Sequence, residues 1–454
     1  MTTFNELNWG IIEIFYLILI FFTGFLVTLL ILPSLIRYMK KKGNVGYDIH
    51  KNAKPEIAES GGLSIVIGLI VSSSISILLF PTLIPIILIF LLTIILAATI
   101  GIVDDIKKLR SRYKILLTIL TGFPIFIANY FGFIEIQSPT LPFLGKTRLT
   151  LIYPFLIPFI VAVFANSTNM LEGYNGEGSG TCLIAVIFLL ICCLIWNTVE
   201  GILFTIIAIS VLIPFYKYNK FPAKVFPGDV GTLCMGAMVA CIALFGSIEV
   251  AVFCTFLMHI FNSFYVLSSL KGFFESSNVK EIKKDIMLIN DDYIKASFQK
   301  KAVLTLPRLI LAKGPLKEKQ LVDNFYAISV ICGYFSVIAT LFMVWTNKKI
   351  DLIIIIIVII ILLFPTITIL IKFDRIRGII FLMVLILILG VILLIFIDIY
   401  IMTLPFADLD LLFAKIPINL LVSTLLFVPG LILWYFITIK YFWIQINKIK
   451  RKEI

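Results

Sequence analysis

The sequence predicts an all-α polytopic membrane protein. Of 454 residues, 61% are hydrophobic and only 14% are charged, whereas a soluble domain carries about a quarter charged residues. Apolar runs long enough to cross a bilayer, about 20 residues each, recur from Ile11 to Phe442. A transmembrane β-barrel would show ~10-residue segments of alternating character, and an unbroken block such as 352–365 does not alternate. With a mean hydropathy of +1.10, the chain is not a soluble enzyme, a disordered chain or a secreted disulfide scaffold.

Hydropathy places spans at 11–36, 61–80, 83–103, 115–133, 151–168, 182–196, 199–216, 231–248, 250–270, 323–345, 351–371, 378–402 and 418–442. Thirteen helices put the termini on opposite sides. The net charge of +12 alone would admit a nucleic-acid partner, but its placement does not. Of 38 Lys and Arg residues, 32 fall in loops 37–60, 104–114, 217–230, 271–322 and 372–377 and in the tail, against five on the other side. The positive-inside rule therefore makes these loops cytoplasmic and excludes nucleic acid as the partner. The first span lacks a basic leader and a small-residue cleavage site, so it reads as a retained helix. Segment 271–322, mixed in charge with Pro307 and Pro315, reads as a small folded excursion. The seven cysteines form no CxxC, which supports neither a zinc site nor a disulfide framework.

Polar residues are costly in a bilayer, and here they gather in four clusters on the basic side. The first is Gly46-Tyr47-Asp48, Lys51, Lys54-Pro55 and Glu59-Ser60-Gly61-Gly62. Its glycines allow close backbone approach and the following helix start offers N–H groups to an anion, although an ordinary juxtamembrane loop has the same composition. The second is Asp104-Asp105 followed by five cations up to Lys114. Acids that hold a hard cation beside cations that bind phosphate oxygens suit a metal–phosphate site; a solvated loop would explain the cations but not the paired acids. In the third, Asn166 to Gly178, Asn169 and Glu172 lie three apart and share a helix face. A plain turn explains its Gly and Asn but not Glu172 and Glu177. The fourth, Phe226-Pro227-Gly228-Asp229-Val230-Gly231, opens a span, where a carboxylate is also an ordinary dipole device.

Taken together, the four clusters resemble the polyprenyl-phosphate N-acetylhexosamine-1-phosphate transferases. The matching features are Lys54-Pro-x3-Glu59-Ser-x-Gly62, Asp104-Asp105-x3-Leu109-Arg110-x-Arg112-x-Lys114, Asn169-x-Leu-x-Gly173-x-Asn175-Gly176 and Phe226-x-Gly228-Asp229, in the family's order. The resemblance covers about residues 11–345. It implies a ten-helix core over 1–346, with active-site loops 37–60, 104–114, 169–181, 217–230 and 271–322; the last three spans, a membrane extension over 347–454, have no counterpart in it. Within the superfamily the chain looks like the dolichol-type branch. Bacterial members carry Asp where Asn175 stands and a histidine-rich motif in the last loop, and neither His50 nor His259 lies there. Leu304-Thr-Leu-Pro307-Arg308 resembles the branch's Arg/Pro motif, its basic triplet reduced to Arg308 with Lys300, Lys301 and Lys313 nearby.

The activity implied is transfer of GlcNAc-1-phosphate from UDP-GlcNAc to a polyprenyl (dolichyl-type) phosphate, giving polyprenyl-diphospho-GlcNAc and UMP. That is the first step of lipid-linked oligosaccharide assembly for N-glycosylation. By the resemblance, Asn169 and Asp229 hold Mg2+, with Mn2+ as a substitute. Lys114 binds a phosphate oxygen, and Asp104 is the family's candidate base, flanked by Asp105. Glu59 and Asn175 hold uridine, Arg308 contacts the sugar-phosphate, and Lys54, Glu172 and Asn262 complete the substrate side. The partners are then the nucleotide sugar, the lipid phosphate and membrane lipid; a homodimer is compatible with this reading. The membrane is an archaeal plasma membrane or the endoplasmic reticulum, with the site on its cytoplasmic face. A membrane transporter or lipid-linked sugar flippase is the alternative, but mid-span charges are nearly absent apart from Asp398, and no internal repeat is visible. The Asp-Gly-x2-Ala-Arg signature of CDP-alcohol phosphotransferases is missing.

Overall fold

The computed structural model describes residues 10–146, 152–270, 284–401, 408–411 and 414–453. Segment 271–283 of the long loop, and Arg148, lie outside them. A helix stands at every expected span. They are α1 (Ile11–Lys41), α2 (Gly62–Leu79), α3 (Ile84–Lys107), the pair α4 (Ser111–Leu120) and α5 (Phe123–Tyr130), α6 (Ile152–Leu171), α7 (Glu177–Trp196), α8 (Val199–Asn219) and α9 (Gly228–Gly246). These are followed by α10 (Glu249–Thr255), α11 (Leu257–Leu270), a short α12 (Leu306–Leu311), α13 (Glu318–Thr346), α14 (Leu352–Lys372), α15 (Arg377–Ile401) and α16 (Ile418–Glu453). Among the described residues ten helices are long and apolar enough to cross a membrane, eleven if the α10–α11 pair is one span. The chain is an integral membrane protein of α-helical type.

Two expected spans are broken. The one at 115–133 divides at Thr121–Gly122, where Pro124 in the first turn of α5 offers no N–H to the preceding turn. The one at 250–270 bends by 67° between α10 and α11.

Helix α9 is the centre of the bundle. Buried residues make up 89% of its most apolar stretch, against 6% for α14. Its sequence is rich in Gly, Ala and Cys, which lets α2, α3, α6 and α8 approach closely. Helix α14, almost pure Ile, Leu and Val, presents its side chains outward, and only Ile355 is buried.

The loops depart from an all-α chain. Strands β1 (Val45–Tyr47) and β2 (Glu56–Ala58) form an antiparallel hairpin with Gly46 opposite Ile57. A second hairpin joins β3 (Thr140–Leu141) and β4 (Gly145–Lys146). The long loop holds a three-stranded antiparallel sheet of β5 (Ile286–Leu288), β6 (Tyr293–Ala296) and β7 (Leu316–Lys317), the folded excursion expected there. Strands β8 (Asp408–Leu411) and β9 (Ala414–Pro417) pair between α15 and α16.

Candidate active site

The site is assembled where α2 and α9 begin and α3 and α6 end. Residues 58–62 run beside 225–227 as a short ladder. The Phe226 N–H donates to Ala58 O at 2.8 Å, Gly61 N–H to Phe226 O at 2.9 Å and Gly62 N–H to Pro227 O at 2.9 Å. The two helix starts meet backbone to backbone: a Cβ on Gly62 would lie 2.1 Å from the Gly231 Cα. Gly228 has φ +65°, a left-handed turn that glycine adopts without cost.

This frame brings four of the sequence candidates together. Lys114 Nζ, at the start of α4, lies 2.5 Å from Asp104 Oδ2 and 2.8 Å from Asp229 Oδ1. The Asn169 amide donates to Asp229 Oδ1 and, at 2.8 Å, to Thr232 Oγ1. Asp104 also accepts the Leu109 N–H at 2.7 Å, which closes the end of α3. The Asp229 side chain is 29% exposed against 5% for Asp104, so the cluster opens on the Asp229 side. Two carboxylates around one ammonium leave an excess of negative charge, with hard oxygen donors at the open face.

Asp105 faces the other way. Its Oδ1 accepts the Asp229 N–H at 2.7 Å and its Oδ2 accepts the Ser60 hydroxyl at 2.8 Å. It therefore ties the ends of α3, the first loop and α9 together.

A second polar cluster surrounds Asn175. Its N–H donates to Glu318 Oε1 at 2.8 Å and its side-chain amide to Asp48 Oδ2 at 3.0 Å. Lys51 bonds Asp48 and lies 3.2 Å from Glu318 Oε2. The same ammonium sits 4.8 Å over the Phe221 ring. His50 stacks on Tyr174 at 4.3 Å, and burial lowers its pKa to about 4, so it is neutral at physiological pH. Asp48, His50 and Glu318 have the mutual spacing of a metal site, but the Lys51 ammonium already supplies the positive charge between the acids. The Asn52 N–H donates to Asp292 Oδ1 at 2.7 Å, docking the first loop on the β5–β7 loop.

The remaining candidates have other places. Lys54 is exposed at a left-handed turn, φ 43°. Glu59 lies over Gly46, whose added Cβ would come within 2.4 Å of its Oε1. Glu172 is half-buried and accepts the Gly178 N–H at 2.8 Å, while buried Glu177 accepts the Gly173 N–H at 3.1 Å, so the two acids brace the loop between them. Asn262 bridges Met170 O at 3.2 Å and the Leu306 N–H at 2.9 Å. Arg308 is 2% exposed, and its guanidinium donates to the carbonyls of Ser297, Gln299, Ala302 and Val303. Glu172, Asn262 and Arg308, expected on the substrate side, bond the chain's own backbone in this structure. Asp48, Lys51, Ser60, Thr232 and Glu318 were not among the candidates. Asp48, Lys51 and Ser60 lie within the first polar cluster, and Thr232 stands one turn beyond Asp229, but Glu318 carries no local signal.

The glycosyl transferase family 4 model matches residues 87–247, the stretch holding Asp104, Lys114, Asn169 and Asp229. A putative glycosyltransferase of Methanocaldococcus jannaschii is 31% identical over 323 residues, covering 70% of this chain and 97% of that protein. The chain belongs to this family, the polyprenyl-phosphate N-acetylhexosamine-1-phosphate transferase superfamily. A putative UDP-N-acetylglucosamine–dolichyl-phosphate N-acetylglucosaminephosphotransferase of Sulfolobus acidocaldarius is 29% identical, over 71% of this chain and 95% of its own. A phospho-N-acetylmuramoyl-pentapeptide-transferase of Wolbachia pipientis is 27% identical, over 70% and 97%. The cluster around Lys114 thus sits in an integral-membrane transferase of this family.

Proposed function

We propose that the chain transfers GlcNAc-1-phosphate from UDP-GlcNAc to a polyprenyl phosphate of dolichyl type, releasing UMP on the cytoplasmic side. The observation that carries this reading is Lys114 held between Asp104 and Asp229 with Asn169 alongside, at the end of the bundle where the basic loops lie. The names of the archaeal relatives support the donor and acceptor.

Phosphoryl transfer needs positioning and charge neutralisation more than covalent help from the protein. An oxygen of the lipid phosphate attacks the β-phosphorus, and the bond from that phosphorus to the UMP oxygen breaks, the electron pair leaving with UMP. Lys114 neutralises a phosphate oxygen, Asp104 holds Lys114 in line, and Asp105 fixes Asp229 through its backbone. The acceptor's second pKa is near 6, so at neutral pH it is mostly a dianion and needs little proton removal. The open, negatively charged face of Asp229 and the Asn169 amide fit Mg2+ or Mn2+, a cation that would neutralise the diphosphate when bound. On the nucleotide side, Asn175 is set by Glu318 and Asp48.

The test is UMP release by the purified chain from UDP-GlcNAc, UDP-GalNAc and UDP-MurNAc-pentapeptide, with and without polyprenyl phosphate. Release from UDP-GlcNAc only when the lipid is present supports the reading. Release of UDP instead, or movement of substrate across vesicles with no UMP, overturns it.

A further inference from the structure

A cavity of about 580 Å3 opens between the end of α1, the β1–β2 hairpin and the segment after α8. Arg37, Lys40 and Lys224 converge on it, with Glu56 the single acid. Among the described residues none of these three cations pairs with a carboxylate. Arg37 donates to Ser34 of its own helix at 3.4 Å, and Lys224 lies 5.9 Å from the Tyr218 ring. Glu56 accepts the Tyr47 hydroxyl at 3.3 Å. The cations are exposed at the end of the bundle that the charge bias assigns to the cytoplasm.

The cavity is continuous with a lipid-facing surface. Phe22, Leu26 and Leu30 are exposed on one stripe of α1, and steps of four residues carry that stripe to Ser34, beside Arg37. Pro33, Ile36 and Ile57 give the cavity an apolar wall. A free phosphate would use the cations alone; a molecule with an anionic head and acyl chains uses cations, wall and stripe together. Basic pockets between transmembrane helices on the cytoplasmic side are suited to anionic lipid headgroups.

We propose that this cavity binds the headgroup of an anionic phospholipid, with its acyl chains along the Phe22–Leu26–Leu30 stripe of α1. The site shares no residue with the Asp104–Lys114–Asp229 cluster and does not depend on the reaction assigned to it.

The full chain is purified in detergent and incubated with phosphatidylglycerol or phosphatidylcholine, and retained lipid is measured by native mass spectrometry and thermal protection. Wild type retains phosphatidylglycerol in preference to phosphatidylcholine. Lys40→Gln with Lys224→Gln weakens that retention about tenfold or more. Lys41→Gln with Lys42→Gln, an equal loss of charge outside the cavity, changes it less than about twofold. All forms melt alike in phosphatidylcholine, since the four lysines are exposed. Equal loss in both pairs would mean diffuse attraction and overturn the site, as would no preference by wild type. Equal thermal protection by inorganic phosphate would overturn the assignment to lipid.

Discussion

The Asp229 N–H donates to Asp105 Oδ1 at 2.7 Å, so the residue that opens α9 is held by a carboxylate 124 positions earlier in the chain. This bond fixes the direction of the Asp229 side chain toward Lys114. A hydrogen bond to a charged group contributes about 1.5–3 kcal/mol. Asp105→Ala is therefore expected to lower UMP release by about 10- to 100-fold. Asp105→Asn, whose amide oxygen still accepts the same N–H, retains more. Equal loss in both variants would show that the charge of Asp105, not its bond to Asp229, is what counts.

Asp229→Ala is expected to abolish transfer while leaving the melting temperature within a few degrees, because the side chain is part exposed and Lys114 keeps Asp104. Asp104→Asn is expected to remain defective at about pH 8, where the acceptor is already a dianion. Recovery near wild-type rates at that pH would make Asp104 a base and remove its role in ordering Lys114. Steady-state UMP release across pH 6–9 decides between them.

Glu318→Gln removes a charge from the Lys51–Asp48–Asn175 cluster and loosens the Asn175 backbone. Its expected signature is a several-fold higher KM for UDP-GlcNAc with a smaller change in kcat. An unchanged KM with a fallen kcat would place Glu318 in the chemistry instead.

Arg308→Ala leaves four carbonyls without their donor, those of buried Ser297, Ala302 and Val303 among them, at about 1–3 kcal/mol for each unsatisfied group that water does not reach. A melting temperature lower by several degrees and faster proteolysis within 297–303 are expected. Arg308→Lys recovers part of the loss, since an ammonium cannot span the same fork of acceptors. Selective loss of sugar-phosphate affinity at unchanged stability would instead support the substrate-contact role.

Burial raises the Glu172 pKa from 4.5 to about 8, against the opposing bond from Gly178. The folded chain thus binds this proton more tightly than the unfolded chain. The resulting stabilisation is full below about pH 4.5 and is lost as pH rises to about 8. Glu172→Gln, which mimics the protonated acid, is expected to melt with a flatter pH dependence than wild type between pH 5 and 9. Parallel curves would show that Glu172 is ionised in the fold.

The spans were legible because each apolar run is long and the cations are one-sided. Their ends were less so: α13 begins at Glu318, five residues before the hydrophobic run, since a helix continues past the bilayer while its residues permit. The bend between α10 and α11 falls at Phe256, with no proline or glycine to announce it. Asp104, Lys114, Asn169 and Asp229 stood out as polar residues at helix ends in an apolar chain, but sequence spacing could not show that they meet. The backbone partners of Arg308 were not legible, because carbonyls leave no mark in the side-chain pattern. Glu318 gave no sign of its role because its partner Asn175 lies 143 residues away.

The contact of Gly62 with Gly231 has a consequence for how this protein tolerates change. With no side chains between them, α2 and α9 cannot be wedged apart or drawn together by repacking at that point. Substitutions on the lipid-facing surfaces of α1 and α14 can accumulate, and the chain can adapt to membranes of different thickness, without altering where Asp229 stands.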